Sequence, residues 1–251
     1  MPNHTSNRLT LSGEPETIAR FLGLFTRPEE GSDAPLLDFQ KLIPMPAELD
    51  IESSSHARLA FDLLGKDDAW RDVAKLPWVV SLGQDEAAEC VPTFESRDAL
   101  LKHLATHLGS AWEQSMDLAV RYASNLARFG YSTWYDWRLK HWGTKWNSYS
   151  PWWPGVPYAD GEAHLDLGFE TAWSSPVPVV EALARHPVCQ GLSIQLHSLD
   201  EGRCFATVRS FSPEAGWSEE ELDWSQMARE QFGFECEAEA EEPTQAQPHA
   251  V

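Results

Sequence analysis

The side chains in this 251-residue chain that could do chemistry form three groups. Glu162, His164, Asp166 and Glu170 fall on one face of a period-two stretch, and paired carboxylates can act as acid and base when their surroundings separate their pKa values. A wetted sheet face carries the same pattern. His103 and His107 stand i, i+4 on a predicted helix, where two imidazoles can share a metal, but no Glu completes H-E-x-x-H and no third ligand is recognisable. A solvated or packed pair is the competing reading. The chain has no G-x-S-x-G elbow, no G-x-x-x-x-G-K loop and no G-x-G-x-x-G turn. No catalytic residue, metal site or cofactor is therefore expected.

A third group could bind rather than react. Residues 134–153 hold six of the 12 Trp, and in Trp134 to Asn147 three bases stand against one acid. Within it, Trp142, Lys145, Trp146 and Asn147 could stack bases, as aromatic and basic surfaces do in sequence-tolerant single-strand binders. The alternative is that the indoles seal a sheet edge around a Gly143 turn, with Lys145 lying across a ring. Residues 214–242 hold 11 acids and one base, Arg229, which is −10 of the −20 net charge. Glu219, Glu220, Glu221 and Asp223 could imitate the phosphate line of DNA, or could simply keep the protein soluble.

The charge, 39 acids against 19 bases, repels phosphate backbones and anionic membranes, so direct nucleic-acid binding is disfavoured. Cys90, Cys189, Cys204 and Cys236 lie far apart without metal-ligand spacing, which reads as reduced thiols. No apolar run is long enough to span a bilayer, and the first residues lack the form of a signal peptide, so a cytoplasmic location is expected.

These residues need elements to position them. Arg8 to Gly13 reads as a strand, and Glu14-Pro15-Glu16 starts a helix with Ile18, Phe21, Leu22 and Phe25 on its apolar side. Leu36 to Met45 alternates and is expected to be a second strand. A helical pattern follows to Phe129, with one long helix from Ser96 whose face is Leu100, Leu104, Leu108, Trp112, Met116, Ala119, Ala123 and Leu126. Glu162 to Trp173 gives the clearest strand, with Trp173 expected in the core beside Leu165, Leu167 and Phe169. A short helix from Val179, a strand through Leu192, Ile194 and Leu196, and a hairpin into Cys204 to Phe211 complete the pattern.

The order predicts an α+β protein: a ferredoxin-like antiparallel sheet with helices on one face, plus a helical insertion and an acidic C-terminal tail. The expected divisions are a split core over 1–46 and 130–213, an insertion over 47–129 and an acidic segment over 214–251, disordered from about 235.

Three motifs add a resemblance. Trp142-Gly143-Thr144-Lys145-Trp146-Asn147 and Phe169-Glu170-Thr171-Ala172-Trp173-Ser174-Ser175-Pro176 resemble the paired hallmarks of the YubB-like ferredoxin-fold proteins. Leu37-Asp38-Phe39-Gln40-Lys41-Leu42-Ile43-Pro44-Met45-Pro46 is similar to the second strand of that family. Ser175 departs from the family, whose members often have proline there. The resemblance implies a ferredoxin-like fold and a home on bacterial plasmids, integrative elements or phages, and it carries over no enzymatic activity. With the missing catalytic motifs, it leads to an expected non-catalytic protein that binds a host or element-encoded protein, such as a basic nucleic-acid-handling one, in counter-defence. The alternatives are an enzyme acting on nucleic acid through the strand face around Asp166 and Glu170, and a single-strand binder using the Trp-rich turn.

Overall fold

The computed structural model describes residues 3–83, 93–153 and 163–234. The chain divides into two compact units, one of Met1–Leu42 with Gly143–Val251 and one of Ile43–Trp142. Residues 214–234 of the expected acidic segment fall in the first unit, and the second extends past 129.

The first unit opens with β1 (His4–Gly13), α1 (Pro15–Phe25) and a hairpin of β2 (Thr26–Glu29) and β3 (Ser32–Leu37), then α2 (Phe39–Leu42). Where a second strand is predicted over Leu36 to Met45, the strand ends at Leu37 and one helical turn follows. Asp38 causes the change, because its carboxylate accepts from the Gln40 N–H at 3.1 Å and its carbonyl from the Lys41 N–H at 3.1 Å. Such local bonds compete with a sheet ladder, and alternation alone does not reveal them.

The second unit is helical: α3 (Ser55–Gly65), α4 (Ala69–Val73), α5 (Pro77–Ser81), α6 (Arg97–Leu108), α7 (Ser110–Phe129) and α8 (Trp134–His141). Ser54, Ser96 and Thr133 each accept a backbone N–H at a helix start. Leu63, Leu100, Leu104, Trp112 and Ala119 share one buried cluster. The single long helix expected from Ser96 is two helices, broken at Gly109 with φ 54° and ψ −129°. The break turns the face of α7, so that Trp112, Ser115, Ala119, Tyr122 and Asn125 are buried while Ala123 and Leu126 are exposed. Tyr122 and Asn125 hold neighbouring loop backbone, donating to the carbonyls of Glu52 at 2.6 Å and Glu48 at 2.8 Å.

The first unit resumes with β4 (Tyr149–Trp152), β5 (Ala163–Ala172), α9 (Val177–Arg185), β6 (Ser193–Asp200), β7 (Ala206–Ser212), β8 (Gly216–Glu221) and α10 (Trp224–Phe232). Six strands form an antiparallel sheet in the order β4-β5-β1-β6-β7-β8. Its first four strands have the ferredoxin-like order, with β1 lying between β5 and β6 and α9 connecting those two. The second strand of that plan is β4, not residues 36–45. Leu9, Leu11, Leu167, Phe169 and Leu196 line one face, against which α9 reaches Arg209 through Glu181 at 3.0 Å and α2 sets Phe39 edge-on to Phe169.

A helix also lies on the opposite face, where none is expected. Met227 and Ala228 of α10 pack on Leu199 and Ala206, and Gln231 accepts from Arg8 at 3.2 Å. The acidic segment thus supplies an edge strand and a covering helix. Trp173 is a further departure, since it is 37% exposed and has φ 78°. The chain leaves β5 through this left-handed residue, so alternation ends at Ala172. Glu162 and Glu235 to Val251, for which a polar strand position and disorder are predicted, lie outside the described residues.

Candidate functional site

The polar sheet face is built by register. Thr10 pairs with Asp166 and Gln195, Ser12 with His164 and Ser193, and Arg8 with His197. Directly opposed residues of an antiparallel pair point the same way, so β5, β1 and β6 deliver one continuous polar grid. Asp166 and His197 are only 4% and 7% exposed. Asp166 accepts from Arg8 at 2.6 Å and from Thr10 at 2.5 Å, while Ser12 Oγ and His164 Nδ1 share a bond of 2.7 Å. Burial, then the adjacent Arg8, hold His197 down to about 4, so its ring is neutral at pH 7.

Glu170 does not join this group. It stands four residues along β5 from Asp166, about 13 Å at strand rise, beyond the 5 to 9.5 Å that carboxylate pairs use in glycoside hydrolysis. It faces His4 at 3.6 Å, and His4 Nδ1 lies 2.8 Å from the Tyr149 hydroxyl. Burial first, then Glu170 and Glu201, push that hydroxyl up to about 12. The two carboxylates expected to work together are therefore apart, and Asp166 is held by an arginine. Signals for Arg8, Gln195 and His197 were present, because β1 and β6 alternate in phase with β5; a reading of one strand at a time does not bring them together.

His103 and His107 have ring centroids 4.5 Å apart, with Phe94 edge-on to His103 at 5.0 Å. Among the described residues, no group of three His, Cys, Asp or Glu could hold a metal ion. Cys189 is buried and its thiol is pushed up to about 11 by that burial, which leaves it protonated rather than nucleophilic.

The aromatic turn divides into supporting and surface residues. Trp142 is 2% exposed and its indole N–H donates to the Ile43 carbonyl at 3.0 Å. Asn147 accepts the Phe39 and Ser148 N–H groups at 2.9 Å and donates to Asp38 at 2.8 Å. Gly143, at φ 78°, leaves no room for a Cβ, which would meet Pro178 at 2.7 Å; its carbonyl accepts from Ser174 at 2.5 Å. The three motifs that are distant in sequence thus satisfy one another's backbones. Lys145 and Trp146 are half-buried, with the Lys145 ammonium 5.0 Å from the Trp146 ring and 4.7 Å from that of Trp173.

Glu219, Glu220 and Glu221 lie on β8, at the end of the sheet, and all three are exposed. Glu219 pairs with Arg209 at 3.0 Å. Asp223 caps α10, accepting the Gln226 N–H at 2.8 Å, so its charge also has a structural task. The acidic row and residues 143–147 of the aromatic turn occupy different parts of the first unit, with β8 and β4 at opposite ends of the strand order.

No family model matches the chain, and no curated protein matches it. Among solved structures it is similar to the crystal structure of protein api92 from Yersinia pseudotuberculosis, of the family DUF1281, at 14% identity and a TM-score of 0.41, covering 89% of this chain and 99% of that one. A likeness of that degree carries no argument about fold or function. Among the described residues, no helix is long and apolar enough to cross a membrane.

Proposed function

We propose that this chain is a protein-binding protein without chemistry of its own, which engages a basic partner through the acidic edge of its sheet. The observation that carries the reading is the row of exposed carboxylates, Glu219 to Glu221, on the outermost strand β8. An edge strand offers backbone donors and acceptors to an added strand, and charged side chains there decide which strands are admitted. Carboxylates favour a lysine- or arginine-rich segment and repel nucleic acid. The resemblance to YubB-like proteins supports a setting on a mobile genetic element, where the partner is a host or element-encoded nucleic-acid-handling protein and the role is counter-defence.

The test measures the dissociation constant of a lysine- and arginine-rich peptide across a salt series. Affinity falls steeply with salt, and Glu219→Gln, Glu220→Gln and Glu221→Gln together weaken it by roughly 3- to 150-fold, at about 0.2 to 1 kcal/mol for each exposed pair. Asp223 is left intact to preserve the cap. Failure to bind, or a flat salt dependence, sinks the reading. A second reading rests on Trp146 and Trp173 around Lys145: single-stranded nucleic acid stacked on the indoles. Oligothymidylate in the same assay separates the two, since that binding needs Lys145 and ignores the three glutamates.

A further inference from the structure

The polar grid floors an open groove. A cavity of about 270 Å³ is lined by Thr10, His164, Asp166, Gln195 and His197, with Arg8 and Gln231 of α10 at its side. Through Thr10 and Gln195 it continues into a second of about 220 Å³ that reaches Ser12, Ser193 and Ser210. The first is slightly below the range of about 300 to 1,000 Å³ for drug-sized ligands, which suits a single ring.

The lining selects a charge class. An anion would need a cation whose charge is not already balanced, and the charge of Arg8 is balanced by Asp166 at 2.6 Å. A cation would need a carboxylate with spare charge, and Asp166 is shared between Arg8 and Thr10. An apolar guest would strip water from amide, imidazole and hydroxyl groups without replacing its hydrogen bonds, at about 1 to 3 kcal/mol for each group left unmet. His197 Nδ1 and Arg8 Nε are already buried with no hydrogen-bond partner. What remains is a neutral guest carrying several donors and acceptors.

We propose that the groove over β5, β1 and β6 binds a neutral polyhydroxylated ring, whose hydroxyl groups exchange hydrogen bonds with Gln195, His197 and the Ser12–His164 pair. A free sugar and the ribose of a nucleoside share this chemistry. Gln231 closes one side, so the occupied groove is bounded by the helix that follows the acidic edge strand.

Saturation-transfer NMR and calorimetry on the full chain, with D-glucose, D-ribose and adenosine as probes and glucuronate and AMP as charged counterparts, test the assignment. At least one neutral probe is expected to bind, with its charged counterpart at least about tenfold weaker. Glucose binding without adenosine identifies a sugar, and adenosine binding more tightly than ribose identifies a nucleoside. Gln195→Ala weakens the bound probe about tenfold, near the loss for one hydrogen bond. Gln231→Ala, outside the sheet, provides the second variant if Gln195→Ala does not fold. No binding by any neutral probe, equal binding of the charged counterparts, or unchanged affinity in the folded variants overturns the proposal.

Discussion

Leu9 and Leu11 of β1, with Leu167 and Phe169 of β5, meet helices on one side of the sheet, while Arg8, Thr10 and Asp166 on those same strands meet α10 and a groove on the other. Both sides bury residues almost completely, Phe169 at 0% exposure and Asp166 at 4%. They differ in how burial is sustained. Apolar groups need only neighbours, so the first face is closed by packing. Carboxylate, guanidinium and imidazole need partners, so the second face is closed by hydrogen bonds and leaves space where those bonds are incomplete. Alternation along a strand distinguishes the two chemistries without revealing whether the polar side is covered.

The largest expected effect is on the apolar side. Phe169→Ala removes a fully buried ring from the middle of the sheet and is expected to cost about 3 to 5 kcal/mol in urea unfolding. A loss below about 1 kcal/mol would show that this face tolerates a cavity as readily as the polar one and erase the contrast. The polar side is expected to respond to pH instead. His197 titrates near 4 when folded, against an ordinary value near 6.5, so the unfolded chain holds the extra proton between them. Stability is therefore full above about pH 6.5 and falls as pH drops toward 4, with Arg8 and Asp166 the charged groups facing the ring. In His197→Gln this part of the slope disappears; an unaltered slope would mean that the imidazole is as well hydrated as on an open surface.

Trp173 gives the smallest and most local test, at the point where the alternation of β5 stops. At φ 78°, an L side chain pays about 1 to 2 kcal/mol that glycine does not. Trp173→Gly is accordingly expected to be about 1 kcal/mol more stable than Trp173→Ala by thermal unfolding. Equal stability of the two would assign the exit from β5 to ordinary extended backbone.

The sequence disclosed the α+β class, the β5 strand and the capped start of α6 at Ser96, because period and cap chemistry are local. It did not disclose the helical turn at Phe39, which depends on Asp38 and on Asn147 108 residues later. Nor did it disclose the role of the acidic run, since charge along a chain does not say whether the backbone beneath it joins a ladder. Of the candidate binding residues, Trp142 and Asn147 prove to be braced from inside, and only pairing partners distant in sequence distinguish them from Lys145 and Trp146. The polar groove was half legible: His164 and Asp166 stood out, while Arg8 and His197 acquire meaning only once three strands are laid in register.

The central place of β1 has a consequence for how the chain is made. Asn7 bonds to Thr171, 164 residues away, so at about 5 to 20 residues per second β1 waits roughly 10 to 30 s on the ribosome before its partner strand is synthesised. Both of its edges, with Leu9 and Leu11 between them, stay unpaired through that interval and invite association with other nascent chains. The unit from Ile43 to Trp142 is a single continuous stretch of chain, so its own packing does not wait for distant strands. Vectorial synthesis thus completes the residues of the helical unit before those of the sheet, and chains interrupted before β5 carry a hydrophobic strand without its partners.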